Sequence, residues 1–412
     1  MIHAEAESGD QPNVMKIPFN RNHRASNEKQ YVEEVLSRAA YGAPYPFQER
    51  CRQWLEHRFD SEVVVTQSCT DALEMAALLC RVGPGDEVIL PSFTFSSTAT
   101  AFALRGAALV FVDIEPRLFN IDVDAVAKAV TARTKVIVAV NYAGNPCDID
   151  ALRRLSDDRD LLLVEDAAQS LMTERDGRQV GTTADLTTIS FHNTKNIHCG
   201  EGGALVVNRP EFRSRAHILS EKGTNRRAFF LGEVDKYSWV DIGTSALPSE
   251  LTSALLLSQL EDAVDVTESR RSAWSAYRDA LRPLAERGLF SLPVDPDGVR
   301  HNAHIFHLLV REQEVRDELI RYLRDRSISA PFHYLPLHSS RAGLRHGRLS
   351  GGGEITDRVS SRLIRLPLWP GVPVRPVVEA IHDFFGVALD ERFESVPTSL
   401  AAQSVESQRP GT

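Results

Sequence analysis

No apolar run in the 412-residue chain approaches the ~18 residues that cross a bilayer, and the first residues lack the apolar core of a signal peptide. Membrane-spanning and secreted readings are disfavoured, and a cytoplasmic setting is expected. Cysteine is scarce. Cys51, Cys69, Cys80, Cys147 and Cys199 contain no CxxC pair and leave one odd, which argues against a disulfide scaffold and fits free thiols in a reducing compartment. His192, His198, His333 and His338 lack zinc-ligand spacing beside a cysteine pair, so no metal is expected. Positive charge is not in excess: 47 Lys and Arg against 56 Asp and Glu give a net charge of −9. Broad nucleic-acid binding rests on basic stripes and is therefore disfavoured. A small anionic ligand in a local pocket is not.

The hydrophobic fraction is 42% and the charged fraction 25%, ordinary values for a globular protein with a large core. Residues 1–14 and 394–412 are polar and unpatterned and read as loose tails. Between them, short β-branched runs alternate with helical patterns. Strands are expected at Val63–Val65, Glu87–Leu90, Ala108–Val112, Lys135–Val140, Leu161–Val164, Leu186–Phe191 and Gly203–Val207. This alternation predicts a parallel sheet joined by helical crossovers, with helices on both faces. After a helix near Ser249–Val264 the pattern changes. A long helix near Thr267–Leu281 should stop before Pro283. The expected organisation is a large domain over 15–264 and a smaller α+β domain over 265–393.

In such sheets, ligands bind beyond the carboxyl ends of the strands. Four post-strand segments matter there. Gln67-Ser68-Cys69-Thr70 opens a helix, where free N–H groups and hydroxyls suit a phosphate or simply cap the helix. Glu165-Asp166-Ala167-Ala168-Gln169 places a carboxylate after an apolar strand. Ser190-Phe191-His192-Asn193-Thr194-Lys195 places a lysine before the turn Gly200-Glu201-Gly202-Gly203. Pro91-Ser92-Phe93-Thr94-Phe95 carries aromatics that are either core or a platform for a flat ligand. A phosphate cradle, a flat aromatic, an acid and a lysine together match the needs of pyridoxal 5′-phosphate: an amine to condense with its aldehyde, and an acid to keep its ring nitrogen protonated.

These segments in this order, with Gly83-Pro84-Gly85-Asp86-Glu87-Val88 and Glu221-Lys222-Gly223-Thr224-Asn225-Arg226, resemble the DegT/DnrJ/EryC1/StrS family of nucleotide-sugar aminotransferases from about Ile17 to Pro370. The resemblance implies the pyridoxal-phosphate-dependent aspartate-aminotransferase-like fold (fold type I): a mostly parallel central sheet sandwiched by helices, plus a smaller C-terminal α+β domain. It implies that Lys195 bonds the cofactor covalently and carries the proton, that Asp166 pairs with the ring nitrogen, and that Gln169 lies beside the ring with Phe95 stacked on it. Cys69, Thr70 and Ser190 would hold the phosphate. Ser238 would reach that phosphate from the partner subunit of a homodimer with shared active sites. Tyr41, Arg226, His333, Tyr334 and His338 would meet substrate, although His338 and Tyr334 could equally serve only to pack the domain interface.

The implied reaction takes the amino group of L-glutamate, which leaves as 2-oxoglutarate, and gives it to dTDP-4-keto-6-deoxyglucose. The product is a dTDP-4-amino-4,6-dideoxyhexose of galacto or gluco configuration. Composition suits an antibiotic pathway. Amination of a 3-keto nucleotide sugar is the nearer rival. A catalytically silent, partner-binding homologue is the rival from another class, and it predicts a broken lysine–acid–phosphate set.

Overall fold

The computed structural model describes residues 16–38 and 45–390. Tyr41 lies outside them. Among the described residues the strands run in chain order β1 (Glu62–Thr66), β2 (Glu87–Pro91), β3 (Ala108–Val112), β4 (Thr134–Val140), β5 (Leu162–Asp166), β6 (Glu174–Arg175), β7 (Arg178–Gln179), β8 (Leu186–Ser190), β9 (Gly203–Val207), β10 (Phe290–Ser291), β11 (Val299–Arg300), β12 (Phe306–Val310), β13 (Gly347–Leu349) and β14 (Leu363–Leu366). The main sheet has the order β1-β9-β8-β5-β4-β2-β3-β13. Val, Ile and Leu fill its strands because both faces are covered by helices, and most of these residues are completely buried.

One strand departs from the expected parallel arrangement. β9 runs antiparallel to both β1 and β8, whereas the other pairings in this sheet are parallel. The physical reason lies in the connection. β8 returns into β9 through the turn at 191–202 with no crossover helix, the element that usually joins parallel neighbours. The reversal places the first residue of β9, Gly203, in register with the last residues of its neighbours, Thr66 and Ser190. Three chain segments therefore converge at the carboxyl edge of the sheet.

The second core gathers Trp274, Tyr277, Leu281, Leu284, Phe306, Leu308, Leu319, Leu323, Ile364, Val377 and Ile381 around the antiparallel sheet β10-β12-β14. The long helix does not stop before Pro283. It runs Ala263–Glu286 with Pro283 inside. Leu281 and Leu284, flanking the proline, are both fully buried in this core. Burial of such side chains, about 1.5–3 kcal/mol each, outweighs the loss of a backbone bond so close to the helix end. Two segments cross the expected boundary near 264. Ile17 packs into the second core, and β13 adds a parallel edge strand to the main sheet beside β3.

Gly203 has a specific steric role. A Cβ there would lie 2.4 Å from the Ser68 carbonyl group and 2.5 Å from the Cys69 nitrogen. These are backbone atoms and cannot turn aside. Gly203→Ala is expected to cost about 1–3 kcal/mol of stability. It should lower the thermal unfolding midpoint by loosening the contact of β9 with the start of the Cys69–Leu79 helix, readable by calorimetry.

Candidate active site

The carboxyl edge of the main sheet opens into a cavity of about 670 Å³. Lys195, Asp166, Gln169, Phe95, Cys69, Thr70, Ser190, His333 and Tyr334 all line it. Each is placed by the end of an element. Helix Cys69–Leu79 begins at Ser68, whose Oγ accepts the Asp71 N–H at 3.0 Å and fixes the helix entry. Thr70 Oγ1 donates to Ser97 Oγ at 2.9 Å, so hydroxyls of two helix starts meet beside Ser190 at the end of β8. Free N–H groups of a helix N-terminus, with these hydroxyls around them, form an anion cradle.

Lys195 sits on the β8–β9 turn. That turn is tied by Phe191 N–H to Gly202 O, Asn193 N–H to Gly200 O and Lys195 N–H to His192 O, each at 2.8 Å. Burial pulls the Lys195 pKa below the usual lysine value. Arg365 acts the same way, while Cys69 and Asp166 oppose it. Asp166 ends β5 and is buried. Its Oδ2 accepts from Thr98 Oγ1 at 2.7 Å and its Oδ1 from the Ala168 N–H at 3.1 Å. Burial raises its pKa, against those two hydrogen bonds and the Lys195 charge. Neither Lys195 nor Asp166 has a salt-bridge partner among the described residues. Glu165, one residue earlier, falls on the other face by strand alternation. Asn141 Nδ2 donates to it at 2.6 Å, and burial pushes its pKa up to about 7.

Gln169 is fixed at both ends. Its Oε1 accepts the Ala143 N–H at 2.8 Å, and its Nε2 donates to the Tyr334 hydroxyl at 3.0 Å. Tyr334, whose ring packs against Phe93 and Tyr142, is thereby tied to the segment after β5. His333 Nδ1 lies 3.2 Å from the Tyr142 hydroxyl, and burial holds its pKa well below the usual value. Phe95 is 59% exposed, so its ring stands at the cavity wall rather than in a core. The segment after Lys16 crosses the cavity. Phe19 and Asn20 line it, and Asn20 Nδ2 donates to Asn193 O at 2.9 Å. Trp369 Nε1 donates to Pro18 O at 3.1 Å.

Two residues expected at this cavity, His338 and Arg226, do not line it, and Ser238, expected to act at the partner subunit's site, lies on the surface. His338 sits behind the cavity, with Nδ1 at 2.7 Å from Ser92 Oγ and Nε2 at 3.6 Å from Asp357, and packs the interface. Arg226 lies over the Phe230 ring and 3.5 Å from Glu221. Ser238 is exposed, and its N–H donates to Asn225 Oδ1 at 2.7 Å. The structure also adds lining residues that sequence reading missed: Thr98, Ser97, His304, Arg270 and Arg365. For Arg365 a signal existed, a lone cation inside the apolar strand Leu363-Ile364-Arg365-Leu366. Thr98 carried none.

The residues present fit pyridoxal phosphate. The cavity holds an anion cradle, a buried carboxylate without a cation, and a buried amine without an anion. A phosphate, a basic ring nitrogen and an aldehyde satisfy these in turn. Because the neutral amine is the nucleophile, the rate of aldehyde capture rises with pH through the Lys195 pKa, below the ordinary lysine value. Asp166→Asn removes a charge that favours the ammonium. It should move that midpoint lower still while weakening cofactor retention, as followed by absorbance during pyridoxal phosphate uptake at a series of pH values.

A sequence profile of the DegT/DnrJ/EryC1/StrS aminotransferase family matches residues 22–382. A dTDP-3-amino-3,4,6-trideoxy-alpha-D-glucose transaminase of Micromonospora megalomicea is 34% identical over 323 residues, 76% of this chain and 83% of its own. A dTDP-4-dehydro-2,3,6-trideoxy-D-glucose 4-aminotransferase of Saccharopolyspora spinosa is 32% identical over 282 residues, 67% of this chain and 72% of its own. A chain from Streptococcus pneumoniae solved in its PLP form superposes with a TM-score of 0.81 at 25% identity, covering 90% of this chain and 98% of that one. The chain therefore belongs to the DegT/DnrJ/EryC1/StrS aminotransferase family, whose members are pyridoxal-phosphate enzymes of fold type I.

Proposed function

We propose that this protein transfers the amino group of L-glutamate to dTDP-4-keto-6-deoxyglucose, giving a dTDP-4-amino-4,6-dideoxyhexose, in the cytoplasm. The observation that carries the reading is the placement of Lys195 and Asp166, both buried and both without an ion-pair partner among the described residues, on one cavity beside the cradle at Cys69 and Thr70. Relatives that handle dTDP-sugars support the substrate class.

The cofactor supplies an aldehyde that exchanges amino groups and a protonated ring that stores an electron pair. The chain does the rest. Asp166 holds the proton on the ring nitrogen. The Cys69 N–H and the Thr70 and Ser190 hydroxyls hold the phosphate. Gln169, locked by Ala143 and Tyr334, stays beside the ring. Phe95, at the cavity wall, would stack on the ring. Lys195 Nζ, its pKa lowered by burial, would take the proton from the donor's α-carbon and pass it to the former aldehyde carbon of the cofactor, as a general base. The ring of His333 and the Tyr334 hydroxyl face the space left for substrate.

Ser238 belongs to the exposed apolar stretch that includes Phe230, Leu231, Tyr237, Trp239 and Ile242, with Trp239 77% exposed. Such a surface needs a cover. A second copy of the chain would provide it and carry Ser238 to the partner's phosphate cradle. Trp239→Glu is expected to shift the protein from dimer to monomer in sedimentation and to lower cofactor retention.

A second reading, amination at the sugar C3, is favoured by the 34% identity to a 3-amino-sugar transaminase. Incubation with pyridoxal phosphate, L-glutamate and dTDP-4-keto-6-deoxyglucose, with NMR of the product, separates the two. Nitrogen at C4 is expected. A large H3–H4 coupling then means an equatorial amine and the gluco product, a small one an axial amine and the galacto product. No amination of any 4-keto sugar would overturn the C4 reading. Lys195→Ala should abolish turnover and leave cofactor that dialysis removes.

A further inference from the structure

Glu165 and Asp166 stand side by side at the end of β5 and face opposite ways. Asp166 lines the cavity. Glu165 does not, and it is 1% exposed. Its Oε1 accepts from Asn141 Nδ2 at 2.6 Å, and its Oε2 is buried with no partner. No Lys, Arg or His comes within ion-pair distance of it among the described residues. The titratable groups that face it are Asp166 on its own strand and Cys147 from the loop after β4, and Asp148 and Arg175 act on Cys147 in turn. The neighbouring strands β4 and β8 oppose it with Ala139 and Thr187, which carry no charge.

The hydrogen bonds of Asn141 settle which way its amide points. Its Oδ1 accepts the Cys147 N–H at 3.0 Å. Its nitrogen therefore turns to Glu165 and to Ser170 Oγ, the latter at 3.1 Å, and Ser170 in turn donates to Ala167 O. An amide nitrogen only donates, so a proton on the Glu165 carboxyl must sit on Oε2. Ionised, Glu165 would be a buried anion with one hydrogen bond and no countercharge. Leaving a hydroxyl unpaired there costs less than leaving a charge.

What Asn141 holds reaches the cavity. Its N–H donates to Asp166 O at 3.2 Å. With Cys147 it brackets the turn Tyr142–Gly144, where Ala143 has φ +57°, a left-handed conformation that a residue with a Cβ keeps only when its surroundings hold it. The Ala143 N–H is the donor to Gln169 Oε1, and Tyr142 carries the hydroxyl beside His333. Glu165 thus lies at the base of the turn that aims Gln169.

We propose that Glu165 is a positioning residue that works as an uncharged carboxylic acid: it anchors Asn141, and through it the turn that holds Gln169, without placing a second negative charge behind Asp166. This role rests on the cofactor reading of the cavity and on no choice of sugar.

The first measurement is the thermal midpoint of the cofactor-free protein from about pH 5 to about pH 9, wild type against Glu165→Gln. Glutamine keeps the acceptor for Asn141 and never ionises. Burial raises the Glu165 pKa from the ordinary carboxyl range to about 7, so the unfolded chain gives up this proton at lower pH than the folded one. The difference in midpoint should therefore move in favour of Glu165→Gln as pH rises to 7 and then stay level. No movement, or movement the other way, overturns the proposal. Positioning is read in the loaded protein below pH 7. Pyridoxal phosphate affinity and the rate with L-glutamate should stay within about threefold in Glu165→Gln and fall about tenfold in Glu165→Ala, which removes the anchor. In a Gln169→Ala background the change Glu165→Ala should add less than about twofold. Equal losses in the Gln and Ala variants, or losses that add in full to that of Gln169→Ala, overturn it. Wild type alone answers if the variants do not fold. Infrared spectra of the loaded protein, where Asp166 faces the ring nitrogen, should show a protonated carboxyl that fades as pH rises through 7, and its absence overturns the proposal. Failure of every keto sugar as acceptor would defeat the substrate reading and leave the stability and infrared results standing.

Discussion

An amine and a carboxyl, Lys195 and Asp166, are kept out of water at one sheet edge without forming an ion pair with each other. Removal from water disfavours an ammonium and a carboxylate alike. Asp166 is offset only in part by Thr98 and the Ala168 N–H, and Lys195 has no comparable support. The cavity is thus electrostatically incomplete by construction. The architecture around it, a carboxyl sheet edge with helices starting beside it, exists to hold that incompleteness in a fixed shape. A ligand that supplies both missing countercharges binds where the free protein is least content.

The reversed strand makes this geometry possible. Were β9 parallel, the chain after Lys195 would have to travel back along the sheet before pairing. The turn at 191–202 could not then be short. As built, the turn is closed by several main-chain hydrogen bonds and begins and ends at the edge of the sheet. Gly203 then lets β9 lie directly on the first turn of the Cys69–Leu79 helix. Lys195 and the start of the Cys69–Leu79 helix are therefore set relative to each other by backbone contacts rather than by side-chain choice.

Much of this could be read from the sequence, for a physical reason. Residues at strand ends are freed from the alternation that governs the strand, so an acid after Leu163-Val164 or a lysine after Ile189-Ser190-Phe191 stands out. The same holds for Ser68 ahead of a helix pattern. What could not be read depends on long-range placement. Thr98 reaches Asp166 across 68 positions, and nothing local marks it. The direction of β9 follows from the absence of a helix in a turn, which the β-branched pattern of Gly203–Val207 does not reveal. Pro283 was a true local signal overruled by burial of Leu281 and Leu284. β13 is three residues long, too short for any periodicity. His338 and Arg226 share a lesson as well: a residue type suited to a ligand says nothing of which wall it stands on.

The segment from Ile17 to Asn20 has a mechanical consequence. Its Ile17 end is buried in the second core and hydrogen-bonded on both sides, to Ser327 and Ser329, while its Asn20 end is bonded to the lysine turn. It behaves as a tether of fixed length between the two walls. Widening the cleft must either stretch that tether or pull an isoleucine out of its apolar seat. Ligand entry is then coupled to partial unseating of a core, and tight occupancy of the cleft should reinforce the packing of a region that the ligand never touches.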